Sequence, residues 1–227
     1  MNQRVLRIPK GLEMTMLVKL LSIGLPKKEF FHGKELTTGI CKKPVAGPRL
    51  LTRQGFEGDG VGDLKHHGGS DKAVCVYSID HYPWWERVLG ITMPQAAFGE
   101  NLSVTGMREE EVCIGDIYRI GTTEVQVSQP RQPCKTLAAR YGREDFVKLV
   151  VDSGRTGLYF KVIKEGRIQS GDEVTLIEGD KRGVSVAFAN QIYHHDRKNR
   201  EGIEKVLRVP ALSASWLTSF HELREKA

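Results

Sequence analysis

Cys134 is the residue of this sequence best placed for chemistry, because it follows two prolines and stands between two cations. A strand-like segment at residues 124–128 precedes it, and residues 136–141 have helical character. The thiol is therefore expected near a helix N-terminus, beside Arg131 and Lys135. The helix dipole and both cations favour the thiolate, which is the form that attacks electrophiles or binds metals. A buried structural cysteine is the alternative interpretation.

A second polar run, at residues 63–73, has the composition of an anion site. Gly68 and Gly69 lack side chains, so the backbone N–H groups around them can approach an anion closely. Positive charge is available nearby from Lys65, Lys72 and one of the two histidines, His66 or His67. The residue order differs from that of a phosphate-binding Walker loop. A tight turn capped by Asp71 is the alternative interpretation.

Composition narrows the classes of function. The chain has 227 residues and a formal net charge of +6, enough for one large domain or a domain with a small appendage. Because the basic residues are spread along the chain, they favour an anionic small molecule over nucleic acid. No stretch approaches the length of a membrane span. The four cysteines form no Cys-x-x-Cys pair, which predicts reduced thiols and a cytoplasmic protein.

Short strand-like segments dominate the chain up to residue 177 and predict a barrel or a strongly bent sheet. They lie at residues 17–23, 34–41, 73–77, 101–104, 117–120, 124–128, 158–164 and 173–177. Helices are predicted at residues 78–89 and 143–152.

The pattern becomes helical after a polar linker at residues 179–183. Helices are predicted at 184–193, 197–208 and 213–225, with Ser213 as the N-cap of the third. These helices cannot bury much apolar surface alone, so we expect them to dock on the barrel or on a second subunit of a homodimer. The predicted organisation is an N-terminal extension (1–15), a barrel domain (16–178) and a three-helix domain (184–227).

Four short motifs, in this order, resemble those of the MOSC domain, a family related to the C-terminal part of molybdenum-cofactor sulfurases. They are HGGxDKA from His67, FGENL from Phe98, IGD from Ile114 and QPRxPC from Gln129. The segment YSxDHY from Tyr77 and the helical tail resemble the YiiM branch, in which three helices follow the barrel. The resemblance implies a mainly β fold with α-helices: a MOSC-type β-barrel and a small three-helix domain.

The resemblance also implies that the protein binds molybdenum cofactor, a phosphorylated pterin (molybdopterin) that carries the metal. Cys134 would be the protein's ligand to molybdenum, and a soft thiolate suits that role. Asn101 would contact the pterin. The residues expected to bind the cofactor are Lys65, His66, His67, Gly68, Gly69, Lys72, Asn101, Arg131 and Cys134.

Members of the family reduce N-hydroxylated compounds, so the resemblance implies detoxification of base analogues such as 6-hydroxylaminopurine. Because the sequence has no flavin or nicotinamide fingerprint, a separate reductase is expected to supply the electrons. Cys134, His67 and Asp71 are the predicted catalytic residues, with His66, His67 or Asp71 relaying protons. Two alternatives remain: a carrier of sulfur as a persulfide on Cys134, and a molybdopterin binder without activity.

Overall fold

The computed structural model describes residues 15–63 and 67–227. Residues 1–14 of the predicted extension, and the predicted site residues Lys65 and His66, lie outside the described residues. The strands are β1 (Val18–Ile23), β2 (Lys27–Phe31), β3 (Lys34–Thr38), β4 (Lys43–Pro44), β5 (Arg49–Thr52), β6 (Gly55–Phe56), β7 (Val74–Ser78), β8 (Leu102–Val104), β9 (Ile117–Ile120), β10 (Thr123–Pro130), β11 (Leu158–Lys164), β12 (Gly166–Ile168) and β13 (Val174–Glu178). The helices are α1 (Tyr82–Leu89), α2 (Lys135–Tyr141), α3 (Phe146–Ser153), α4 (Val186–His194), α5 (Arg200–Leu207) and α6 (Ala214–Lys226).

Eight strands form one large sheet in the order β13-β9-β10-β11-β7-β8-β1-β4. β10 lies near its centre and pairs antiparallel with β9 and β11. The first residues of β10 alternate between buried and half-buried, and the last four are all buried, as expected for a strand that passes from a solvated face into the interior. This strand leads directly to Cys134.

The sheet is strongly curved, but its strands do not form the closed barrel that the sequence predicts. β4 pairs with the C-terminal end of β1, so only the N-terminal end of β1 remains open to β13. There the contact is an isolated bridge between Leu17 and Glu173, supported by the Gly171 N–H, which donates to the Val18 carbonyl at 2.7 Å. The predicted barrel is therefore corrected to a curved sheet whose two ends meet at a single bridge.

The C-terminal helices α4, α5 and α6 pack on the sheet, which confirms the predicted helical tail. Apolar residues of these helices and of the strands belong to one continuous buried cluster. Ser213 is the N-cap of α6, as predicted, and its Oγ accepts a hydrogen bond from the Trp216 N–H at 3.3 Å. The start of α6 could be predicted from sequence because its N-cap is a serine, a residue type that is preferred at this position.

A second buried cluster, rich in aromatic side chains, lies between α1, α2 and α3. Phe98 is at its centre and stacks on Tyr77 with ring centroids 3.9 Å apart. The Tyr77 hydroxyl accepts from Trp85 Nε1 at 2.6 Å and donates to the Arg155 carbonyl at 3.1 Å. Because its polar groups are paired, this cluster can form a dry and rigid support.

Among the described residues, no helix is both long and apolar enough to cross a membrane. All four cysteines are free thiols in the structure.

Candidate functional site

A pocket opens between the end of β10, the start of β7 and the segment that follows β3. It brings together five residues predicted to form the site: His67, Lys72, Asn101, Arg131 and Cys134. Other residues, which were not predicted to form the site, also line it, among them Lys42, Asp59, Cys75, Phe98, Gly99 and Tyr159. The pocket therefore combines a thiol, several cations and an aromatic surface in one place.

Cys134 is the N-cap residue of α2 and has extended backbone angles, φ −123° and ψ 166°. β10 continues through Pro130, which pairs with Leu158, and ends just before the cysteine. Burial alone would raise the pKa of the thiol. A hydrogen bond with His67, the charge of Arg131 and the backbone N–H of Leu137 outweigh burial and lower the pKa of Cys134 to about 6. The thiol is therefore mainly thiolate at neutral pH.

Arg131 is the fixed cation of the pocket and is only 5% exposed. Its backbone N–H donates to the Gly157 carbonyl at 3.0 Å. Nη2 of the side chain donates to the Phe98 carbonyl at 2.8 Å. Nη1 is buried and has no hydrogen-bond partner among the described residues. A buried donor left unpaired is costly, so this nitrogen marks the place where an acceptor atom of a ligand would be stabilised.

Asn101, predicted to contact a ligand, instead uses its amide group within the pocket wall. Its Oδ1 accepts from the Cys75 N–H at 3.1 Å, and its Nδ2 donates to Asp59 Oδ2 at 2.8 Å and to the Ser22 carbonyl at 3.3 Å. The residue is 4% exposed. Asn101 therefore joins β7 to β1 and fixes Asp59, while its predicted contact with a ligand stays a prediction.

Lys42 and Asp59 form a buried ion pair in the same wall. Lys42 is 7% exposed and lines the pocket with its partner. Asp59 Oδ1 also accepts from the Gly24 N–H at 2.8 Å. Neither residue was predicted to form the site, because both stand in short irregular segments. The signal available was the order Gly58-Asp59-Gly60, a carboxylate between two glycines.

His67 and Lys72 approach the pocket from one short segment. His67 makes the hydrogen bond that favours the Cys134 thiolate. Burial lowers the pKa of Lys72, while the nearby Asp71 carboxylate acts in the opposite direction. Both residues thus line the pocket, and their role toward a ligand stays a prediction.

Three other predicted residues of that run do not line the pocket: Gly68, Gly69 and Asp71. Gly69 has φ +100° and precedes a 3-10 turn at Ser70–Lys72, so it serves the turn. The Asp71 carboxylate accepts a hydrogen bond from the Ala214 N–H, with Oδ2 2.9 Å from the nitrogen. The Asp71 carboxylate is therefore engaged at the start of α6, outside the pocket wall, and its catalytic role stays a prediction.

Gly99 allows the pocket wall to close tightly. Its φ is +73°, and a Cβ atom there would lie 2.6 Å from Ile40 Cγ1. Both residues line the pocket. A side chain at this position would therefore displace the segment that follows β3.

Comparison with known proteins identifies the family. The family model of the MOSC domain matches residues 63–175, and that of the YiiM-like, 3-alpha helix domain matches residues 184–227. The crystal structure of YiiM from Geobacillus stearothermophilus is similar, with a TM-score of 0.79 and 37% identity over 92% of this chain and 99% of that one. This chain belongs to the MOSC domain family, in its YiiM branch.

Two relatives of this MOSC protein extend the comparison. YflK of Bacillus subtilis is 48% identical over 91% of this chain and 93% of its own length. A protein of Gibberella moniliformis named "Reductase" is 39% identical over 64% of this chain, and the match covers 27% of that protein. A segment similar to part of this chain therefore also occurs within a longer protein.

Proposed function

We propose that this protein is a molybdenum-cofactor-dependent reductase of N-hydroxylated compounds, with N-hydroxylated purine and pyrimidine bases such as 6-hydroxylaminopurine as substrates. The observation that carries the proposal is the Cys134 thiolate, held in a pocket beside a buried arginine whose Nη1 has no partner in the part of the chain that the structure describes. Membership of the MOSC family and similarity to a protein named "Reductase" support an oxidoreductase.

The residues of the pocket fit the cofactor. Cys134 offers a soft anionic ligand for molybdenum. The unpaired Nη1 of Arg131 and the ammonium groups of Lys42 and Lys72 offer donors for an anionic phosphate or pterin oxygen. When bound, the cofactor would supply the two-electron chemistry that an N–O bond requires.

The protein's own residues would bind, orient and protonate the substrate. Reduction of an N-hydroxyl group to an amine consumes two electrons and two protons and releases water. His67 lines the pocket, and its imidazole would act as the general acid that delivers a proton to the substrate. Phe98 is fully buried and serves the site through its carbonyl, which accepts from Arg131 Nη2 at 2.8 Å and so orients that guanidinium group.

Electrons would come from a separate protein. The sequence contains no flavin or nicotinamide fingerprint of its own. In the Gibberella relative the matching segment is about a quarter of the protein. That arrangement is consistent with a MOSC unit that works with a further redox unit.

The cofactor proposal is tested by elemental analysis of protein from a host that makes the cofactor. We expect molybdenum near one atom per chain in the wild type and its loss in Cys134→Ala. Cys75→Ala, which removes the other thiol of the pocket, is the matched control and should retain the metal. Equal metal content in wild type and Cys134→Ala would remove Cys134 as the ligand.

The activity proposal is tested on molybdenum-loaded protein supplied with an electron donor and 6-hydroxylaminopurine. Adenine is the expected product. Absence of adenine from protein whose metal content and donor are both verified would contradict the proposed substrate.

The persulfide carrier is the second candidate, and the low pKa of Cys134 favours it as well, because a thiolate is the form that accepts sulfur. Metal-free protein that releases one labile sulfur per chain on cyanide treatment, and none in Cys134→Ala, would support this function over the reductase.

A further inference from the structure

The segment from His67 to Lys72 carries two pocket residues at its two ends and has two glycines between them. Gly68 is half-buried and Gly69 is exposed. Glycine loses more conformational freedom on ordering than any other residue, so this segment needs outside contacts to hold both side chains in place. Asp71 makes two of these contacts, in addition to the hydrogen bond from the His67 N–H to the Asp63 carbonyl at 3.0 Å.

Asp71 is bound on two sides. Its carboxylate accepts from the Ala214 N–H at the first residue of α6, at 2.9 Å. Its backbone carbonyl accepts from Ser128 Oγ at 2.5 Å. Ser128 is fully buried in β10, and its own carbonyl accepts from the Ser213 N–H at 3.1 Å. The segment, the strand and the start of α6 are thus joined at one point.

We propose that Asp71 is a positioning residue that holds His67 and Lys72 in the pocket by tying their segment to the start of the C-terminal helix α6. The three-helix domain would then help to hold two residues of the pocket in place. It holds for the protein without any cofactor, so it stands or falls separately from the reductase proposal.

The contact could instead serve only the helix, because a carboxylate at a helix N-terminus stabilises that helix. Ser213 separates the two interpretations. Its Oγ accepts from the Trp216 N–H at the same end of α6, and within residues 15–63 and 67–227 this hydroxyl forms hydrogen bonds only with residues of α6. Ser213→Ala therefore weakens the helix start but leaves the contact with Asp71 intact.

The test compares Asp71→Ala, Asp71→Asn and Ser213→Ala with the wild type, all without cofactor. The first readout is hydrogen exchange of the Lys72 amide, which donates to the Gly69 carbonyl at 2.9 Å. The second is the NMR signal of the His67 ring, with buried His81, which pairs with Glu109, as internal reference. Circular dichroism establishes that each variant is folded.

In Asp71→Ala we expect the Lys72 amide to exchange about fivefold faster, the size of a lost capping bond. The His67 ring signal should move while that of His81 stays. Asp71→Asn keeps an acceptor oxygen and should behave as the wild type. Ser213→Ala should speed exchange in the first turn of α6 alone.

Three outcomes would overturn the proposal. The first is an unchanged Lys72 amide and His67 ring in Asp71→Ala. The second is an equal response of the segment to Ser213→Ala, because the segment would then follow the general stability of the helix. The third is an Asp71→Asn variant as loose as Asp71→Ala, because the hydrogen bond would then not be what holds the segment.

Discussion

Two cysteines line the same pocket, and their pKa values are shifted in opposite directions. Cys75 lies in β7, opposite Tyr159 of β11, and burial raises the pKa of its thiol to about 11. Cys134 lies at the junction of β10 and α2, and its pKa is lowered to about 6. Arg131 acts on both thiols in the same direction, toward the thiolate. The shared cation therefore cannot explain the difference.

The difference comes from hydrogen-bond donors. His67 and the Leu137 N–H favour the thiolate of Cys134, whereas burial prevails at Cys75. Burial also raises the pKa of the two cysteines outside the pocket, Cys41 and Cys113. A position at a strand end, where irregular backbone can supply donors, is thus what makes a reactive thiol here.

The largest expected effect is on alkylation. At pH 7 the thiolate fraction of Cys134 should exceed that of Cys75 by a factor on the order of 10⁴. Iodoacetamide should therefore modify Cys134 first, and the rapid phase should vanish in Cys134→Ser but persist in Cys75→Ser. Peptide mapping of the first modified site checks this. Modification of Cys75 before Cys134 would contradict the pKa values assigned to the two thiols.

The second prediction concerns stability and pH. An unperturbed thiol has a pKa of about 8.5, and the folded pKa of Cys134 is about 6, so folding favours the thiolate. Its contribution is complete above about pH 8.5, falls as the pH drops and is lost below about pH 6. Urea unfolding across this range should show a loss on the order of a few kcal/mol in the wild type relative to Cys134→Ser. A constant difference between the two would contradict the assigned thiolate.

Removal of His67 should reduce the difference between the pKa values of Cys134 and Cys75. In His67→Ala the pKa of Cys134 should rise by about one unit, because a donor to the thiolate is lost. The pH dependence of the alkylation rate measures the shift. His221→Ala, a histidine of α6, is the matched control. If the midpoint of the pH profile of alkylation is the same in His67→Ala and in the wild type, Arg131 and Leu137 account for the low pKa of Cys134 without His67.

The smallest expected effect is that of Lys72. If its ammonium group binds the anionic part of a ligand, Lys72→Ala should reduce cofactor retention a few-fold, in line with one partly solvated ionic contact. Lys148→Ala, at a surface lysine paired with Asp152, should have no effect. Unchanged retention in Lys72→Ala would remove this residue from the site.

The sequence predicts this fold well where local chemistry decides it. The strands at 117–120 and 158–164 have the predicted bounds, and Ser213 caps its helix as expected. The hairpin of β2 and β3 was only half predicted, because the sequence of β2, KKEFF, lacks an alternating apolar pattern. The prediction of a closed barrel was wrong, because closure depends on which strand pairs with the edge of β1, and β4 takes that place.

The candidate site divides in the same way. Cys134 and Arg131 were predictable because they share one short motif with its own turn and helix start. Lys42 and Asp59 were not predictable, because their pairing depends on two irregular segments that meet just beyond the C-terminal end of β1, at Gly24. The contact of Asp71 with α6 could not be predicted for a related reason, since its partner lies 143 positions away along the chain.

The buried cluster that joins α4, α5 and α6 to the sheet has a practical consequence. Val184, Val186, Ala189 and Ile192 share that cluster with residues of the strands, and the Ile114 N–H donates to the Val184 carbonyl at 2.9 Å. A shortened chain that stops at residue 183 would expose the apolar face beneath these helices to water. The MOSC domain and the three-helix domain are matched by two different family models, but they should be expressed, crystallised and engineered together.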